Sequence, residues 1–437
     1  MRRDIYKILT DWKDSAIRRP LLIRGARQTG KTYIVNEFGE CEFENLIYLN
    51  FERNSEYKDI FKINIPVEIV EKIVLYTAKR VMPGKTLLFL DEIQECPEAI
   101  VSLRYFFEEM PDLHVIGAGS LLEFALKTED FKMPVGRIQY LYLYPLSFGE
   151  FLDALGESEL RHYILDFSKL ANFPINLHDK LNEYVRKYFI VGGMPAVVKE
   201  YITTRDIIKC QRIQRSIIDT YIDDFGKYAK QVKHIYLRKV FNAVPGMVGQ
   251  KFVYAQVDRD IKSREIKGAL ELLETAGIVT RVKQTGGSGL PLSASVHESI
   301  FKVLFLDVGL FHAVSGIYSE TAKKQDFNAI FRGAVAEQFA GQELLVNQSA
   351  YTKTELFYWV RKAKSSTAEI DYLIEINAHV VPIEVKSGST GRMKSLHMFI
   401  EKYGCVKALK ISQAPFDNGN PILSLPFFAI ESFLKEN

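Results

Sequence analysis

Cysteine is scarce in this chain: 437 residues carry four, Cys41, Cys96, Cys210 and Cys405, widely separated and never as a C-x-x-C pair. That excludes a disulfide framework and a cysteine-rich zinc site, and it suits a reducing cytoplasm. Charge of a single sign is also missing. Lys and Arg number 57 against 54 Asp and Glu, a formal +3, too small to mark the whole chain as a nucleic-acid binder, so any basic surface must be local. No apolar run approaches the ~18 residues of a membrane span, and Met1-Arg2-Arg3-Asp4 leads into an amphipathic, charged helix instead of a signal-peptide core. A cytoplasmic protein with no membrane partner is expected. Internal repeats and low-complexity tracts are absent. A 47% hydrophobic composition over this length calls for two to four globular domains.

One motif is complete. Gly25-Ala26-Arg27-Gln28-Thr29-Gly30-Lys31-Thr32 follows the apolar run Leu21-Leu22-Ile23 and spells G-x-x-x-x-G-K-[ST]. Strand, glycine loop and an amphipathic helix with Ile34, Val35 and Phe38 occur in order. In that context the backbone N–H groups cradle phosphates, Lys31 reaches the β- and γ-phosphates, and the Thr32 hydroxyl ligates magnesium. Without that context the same eight residues would be a glycine-rich turn. A second apolar strand, Thr86-Leu87-Leu88-Phe89-Leu90, delivers Asp91 and Glu92 to the same edge of a parallel sheet. Asp91 is assigned to the magnesium and Glu92 to the attacking water; the alternative is a pair of acids capping the next helix. A third strand, Leu113 to Gly119, ends in Ser120, a candidate sensor hydroxyl.

At this point the chain resembles the AAA+ ATPases, and more narrowly a prokaryotic group close to the archaeal-type and STAND ATPases. Gly136-Arg137 and the phrase Pro145-Leu-Ser-Phe-Gly-Glu-Phe151 carry the likeness. The resemblance implies ATP and Mg2+ as cofactors and Arg137 as an arginine finger or phosphate sensor, and hence possible self-association; a solvated arginine is the alternative. Ala118 stands where related chains often have a polar residue. A helical stretch from about Glu159 to Asp224, with Leu181, Tyr184, Val185 and Tyr188 in phase, is broken by Gly192-Gly193-Met194-Pro195. Its likeness to the Gly-x-Pro element of STAND-type ATPases implies that Pro195 helps enclose the base. A helix cap followed by a stop proline reads equally well.

Between Lys227 and Lys283 there are twelve Lys and Arg against five Asp and Glu. Within it, Ser263 precedes a helix with Ile266, Ala269, Leu270 and Leu273 on one face. The strand Ile278–Val282 and the glycine-rich tip Gly286-Gly287-Ser288-Gly289 follow, together suggesting a winged helix with a flexible wing. Lys262, Arg264 and Lys267 are the residues placed for DNA; Glu265 and Glu271 argue against it, and a packing module is the alternative.

The last 110 or so residues hold Glu337 on a helix, Asp371 in Ala-Glu-Ile-Asp-Tyr, and Glu384-Val385-Lys386 on the next strand after a turn at Asn377-Ala378. Glu384 and Lys386 share a strand face, and Asp371 can meet them across a hairpin. This order resembles the PD-(D/E)XK nucleases. The resemblance implies Glu337, Asp371 and Glu384 as magnesium ligands and Lys386 beside the nucleophile; a solvated surface pair or an inactive relic is the alternative.

The expected protein is therefore α/β and multidomain: a P-loop parallel-sheet ATPase core (1–157), a helical lid (158–226), a winged helix (227–312) and a restriction-endonuclease-like α/β domain (325–437). Its expected function is Mg-ATP binding and hydrolysis coupled to a domain acting on nucleic acid. The alternatives are a regulatory switch whose C-terminal fold is an inactive binding module, and a DNA-binding regulator without cleavage.

Overall fold

The structure is a computed structural model that describes residues 1, 3–120, 122–125, 136–228, 231–316, 329–363, 366–388 and 393–436. The described residues form two compact units, one of residues 2–144 with 349–353, the other of residues 145–348 with 354–437 and Met1. The four expected segments are thus distributed over two units, and residues 325–328 of the last segment lie outside the described residues. No described helix is long and apolar enough to cross a membrane.

In the first unit five strands, β1 (Leu21–Arg24), β2 (Asn45–Asn50), β3 (Thr86–Asp91), β4 (His114–Ala118) and β5 (Gln139–Tyr142), form an all-parallel sheet in the order β2-β3-β4-β1-β5. Alternate residues of each strand point to opposite faces. Leu22, Leu88, Leu90 and Val115 therefore face Ile73, Ile100 and Leu103 from the helices Pro66–Thr77 and Pro97–Glu109. Leu21, Ile23, Leu87, Phe89 and Ile116 face Leu9 and Trp12 of the helix Ile5–Lys13 and Ile34, Val35 and Phe38 of the helix Lys31–Glu42. With both faces covered, these strands read as continuous apolar runs. Each such fully buried side chain contributes about 1.5–3 kcal/mol. The segment 349–353 returns to this unit and closes the sheet edge, with the Tyr142 N–H donating to the Ala350 carbonyl at 2.8 Å.

The second unit contains a mixed sheet of seven described strands: β6 (Val279–Thr285), β7 (Val296–Phe305), β8 (Leu356–Ala363), β9 (Ser366–Ile376), β10 (His379–Val385), β11 (Ala408–Ser412) and β12 (Ile422–Pro426), in the order β12-β11-β10-β9-β8-β6-β7. The hairpin β9/β10 turns at Asn377 and Ala378, both at positive φ, where the sequence places it. The helix Ser263–Thr275 leads into the hairpin β6/β7 with the expected buried face of Ile266, Ala269, Leu270 and Leu273. The hairpin does not stand alone, because β6 pairs in parallel with β8.

Its glycine tip is packed, which corrects the expectation of a flexible wing. Gly287 sits at φ +71, and a Cβ there would lie 3.0 Å from Phe399 and 3.1 Å from Trp359. The Tyr403 hydroxyl donates to the Gly286 carbonyl at 2.9 Å and itself accepts from the Trp359 indole N–H at 3.2 Å. The motif Pro145–Phe151 opens the second unit. Ser147 and Glu150 form a reciprocal capping box on the helix Phe148–Ala154, and the Phe148 N–H donates to Glu343 at 2.9 Å. A Cβ at Gly149 would fall 2.0 Å from a Glu431 carboxylate oxygen and 2.5 Å from the Arg161 guanidinium, so these side chains pack directly on its backbone.

Candidate nucleotide site and the C-terminal carboxylate cluster

A parallel sheet collects its strand ends at one edge. The carboxyl ends of β1, β3 and β4 bring the loop Gly25–Thr32, Asp91 with Glu92, and Ser120 to that edge. Gly25, at φ +152, is held where a Cβ would lie 2.2 Å from the Leu143 carbonyl oxygen, and Gly30, at φ +96, caps the helix Lys31–Glu42. The loop is braced from within by the Thr29 hydroxyl donating to the Ala26 carbonyl at 2.9 Å. Arg3 braces it from outside, its guanidinium donating to the Thr29 and Tyr144 carbonyls at 3.2 and 2.8 Å. Gln28 also adopts positive φ; Arg27 lies 3.8 Å from Glu52.

Lys31 is buried, and its ammonium donates to the Gly25 and Ala26 carbonyls, both at 2.8 Å. Burial pulls its pKa down to about 8, against the opposing pull of Glu92 and Asp91. A cation desolvated among neutral carbonyls at a helix N-terminus is a strong anion site. Asp91 is equally buried and accepts from Tyr48 at 2.8 Å, Asn50 at 3.0 Å and the Thr32 hydroxyl at 3.2 Å. Burial raises its pKa, and these donors counter the rise. Thr32 and Asp91 present adjoining oxygens, a donor set that fits a hard cation such as magnesium. Glu92, itself at φ +48, accepts from the Gln94 side chain at 2.7 Å and from the Ser120 backbone N–H and hydroxyl at 3.3 and 3.4 Å. Ser120 and Glu92 therefore meet.

Arg137 does not join them. Leu21 is level with Gln139 in the β1/β5 pairing, so Arg137 precedes β5 at the edge opposite the phosphate loop. Its guanidinium lies on the surface 2.9 Å from Glu108. As a sensor of its own chain's phosphates it is misplaced by a strand length, which corrects that part of the expectation. Pro195 lies in the second unit as the first residue of the helix Pro195–Thr204. The preceding turn is gripped by Asp307, a residue the sequence reading missed. Asp307 accepts from the Gly193 N–H at 2.6 Å, and at Gly192 a Cβ would meet it at 2.1 Å. Full burial lifts the Asp307 pKa to about 6.

In the second unit the register that pairs Ile383 with Tyr372 runs on toward Glu384 and Asp371. Asp371 accepts from the Val385 N–H at 2.8 Å, and Lys386 bonds Glu384. Glu337, on the helix Ala329–Val346, joins them through a residue not anticipated. The Lys302 ammonium lies 3.3 Å from Glu337 and 3.6 Å from Asp371, and it also bonds Glu369. Lys302 is buried, stacked 5.3 Å from the Tyr358 ring centre. Its carboxylate neighbours hold its pKa well above the ordinary lysine value despite burial, while burial raises those of Glu337 and Glu384. The four predicted residues are thus gathered. Yet among the described residues no three His, Cys, Asp or Glu are spaced to hold a metal ion. A lysine inside the apolar strand Phe301–Phe305 was the available signal for Lys302.

The basic residues of the helix Ser263–Thr275 are exposed and paired along the helix itself, Arg264 with Glu265 at 3.3 Å and Lys267 with Glu271 at 3.8 Å.

The sheet order, the phosphate loop and the paired acids define the first unit as a P-loop ATPase domain of the AAA type. A family model described as AAA domain matches residues 17–152, and two models described as domains of unknown function, DUF8612 and DUF4143, match residues 182–321 and 332–427. An uncharacterized protein of Haemophilus influenzae is 25% identical over 245 residues, 53% of this chain and 58% of its own length, so the chain spans little more than half of that relative. Among solved structures, the Walker-type ATPase of Pyrococcus abyssi is 14% identical with a TM-score of 0.44, over 72% of this chain and 95% of its own. The ORC1 protein of Aeropyrum pernix in complex with DNA is 13% identical with a TM-score of 0.27, over 71% and 90%.

Proposed function

We propose that this chain binds and hydrolyses Mg-ATP at the first unit and uses the nucleotide state to set the conformation of the second, which acts as a binding module for nucleic acid. The observation that carries the ATPase reading is the convergence of Lys31, Thr32, Asp91, Glu92 and Ser120 at one sheet edge. In this reading the Gly25–Thr32 amides and Lys31 bind the phosphates. Thr32 and Asp91 would hold a magnesium ion, which would supply charge neutralisation there. Glu92, released from Gln94 and Ser120, polarises the attacking water. Arg137 acts on the nucleotide of a second copy.

The test separates binding from turnover. Lys31→Ala abolishes ATP binding by calorimetry, whereas Glu92→Gln keeps it. Unchanged affinity in Lys31→Ala overturns the site, and equal loss in both variants overturns the separate roles.

A second reading, a regulatory switch with a protein-binding output, is supported by the packed tip at Gly287 and the ion-paired Arg264 and Lys267. Reversing the charge of Lys262, Arg264 and Lys267 together decides between the two readings. Salt-sensitive duplex binding that falls at least tenfold supports nucleic acid, and binding that is absent or unaltered supports the switch.

A further inference from the structure

The C-terminal cluster carries a positive charge of its own. Lys302 enters from β7 and contacts Glu337, Glu369 and Asp371, which come from a helix and from β9. Nothing in the PD-(D/E)XK pattern asks for it. Glu337 is fixed independently, for the Tyr372 hydroxyl donates to its backbone carbonyl at 2.7 Å, and Gly249 leaves room for its carboxylate, which lies 3.1 Å from where a Cβ would be. Asp371 spends its other oxygen on the Val385 N–H. Glu384 and Lys386 form a second pair beside it. Among the fully buried oxygens of this described cluster, Glu384 Oε2 is the one left without a hydrogen-bond partner.

A hard divalent cation requires several converging oxygens and cannot share them with an ammonium at the same place. Here one oxygen each of Glu337, Glu369 and Asp371 is turned toward the Lys302 ammonium, which sits where they converge. Breaking a buried ion pair to make room also leaves the displaced charge desolvated, a strongly unfavourable step. The residues present do not fit a resident magnesium or manganese ion as they are arranged. We propose that Lys302 is the resident cation of the C-terminal domain, its ammonium holding Glu337, Glu369 and Asp371 in the place a divalent metal would take. The domain then keeps its carboxylates as a fixed internal lock and does not cleave phosphodiesters through them. This inference is independent of the ATPase reading, since it concerns a different unit and needs no nucleotide.

The test is a Mn2+ titration of the full-length chain without nucleotide, read by the paramagnetic resonance of free Mn2+. Wild type and Asp371→Asn are expected to bind Mn2+ identically, because Asp371 takes no part in whatever the phosphate-loop region binds. A wild-type site that Asp371→Asn removes overturns the proposal. Lys302→Ala is expected to gain one Mn2+ per chain, lost again in Lys302→Ala/Asp371→Asn, and a folded Lys302→Ala that gains none also overturns it. Should Lys302→Ala fail to fold, the comparison of wild type with Asp371→Asn still decides. Failure of ATP binding in Lys31→Ala controls would bear on the first unit alone.

Discussion

Among the described residues two lysines, Lys31 and Lys302, are buried beside carboxylates, and their surroundings are opposite. Lys31 is held by two neutral carbonyls of its own loop, and Asp91 nearby is held by a tyrosine, an amide and a threonine. Neither charge is neutralised by direct contact. Lys302 touches three carboxylates, and its pKa is driven up where that of Lys31 is driven down. Burial is the same physical cost in both places; the counter-charge differs. In the proposed function the first arrangement is completed by an anion and a cation from outside, which is what a nucleotide site needs. The second is completed from within, which makes it part of the fold.

The largest expected contrast is in turnover. Glu92→Gln should slow ATP hydrolysis by ~100- to 10,000-fold, the usual range for a group moving or polarising the reacting proton, while Asp371→Asn should leave steady-state turnover within about twofold. A comparable loss in both variants would break the separation of the two regions. A smaller contrast lies in pH. Lys31 is depressed to about 8 in the fold against 10.5 as the ordinary value, so the unfolded chain binds the extra proton between those values and stability rises with pH across that window. Its size is on the order of 1–3 kcal/mol, and it should be present in wild type and vanish in Lys31→Met in denaturant titrations at pH 7 and 10. The smallest effect concerns how tightly the second unit is sealed. Gly287→Ala should cost about 1 kcal/mol, through its positive φ and the ring edges of Phe399 and Trp359. A neutral substitution there would reopen the reading of the tip as a mobile wing.

Much of the first region was legible because its information is local. The phosphate loop is eight consecutive residues, and the apolar run before Asp91 and Glu92 announces a buried parallel strand. The helix Ser263–Thr275 and the turn at Asn377 were legible for the same reason. Direction and pairing were not. That Arg137 lies at the wrong edge follows only from the parallel register of β1 with β5, and that β6 joins β8 depends on a contact between residues some seventy positions apart. Asn50 and Gln94 show their roles only once β2 is set beside β3 and Glu92 adopts its left-handed backbone. Lys302 and Asp307 share a further reason. Each is a single charge in an apolar stretch whose long-range partners come from other elements, although Asp307 also caps its own helix by accepting from the Leu310 N–H at 3.0 Å.

The contrast between the two lysines is tested most directly by the nucleotide-free stability of two variants at pH 7, Lys31→Met and Lys302→Met, measured by denaturant unfolding of the full chain. Lys302→Met is expected to lose about 3–5 kcal/mol, the usual cost of stripping one partner from a buried ion pair, and Lys31→Met to lose less than about 1 kcal/mol or to gain stability. Equal losses, or a Lys302→Met chain as stable as wild type, would contradict the division into one site completed from outside and one completed from within.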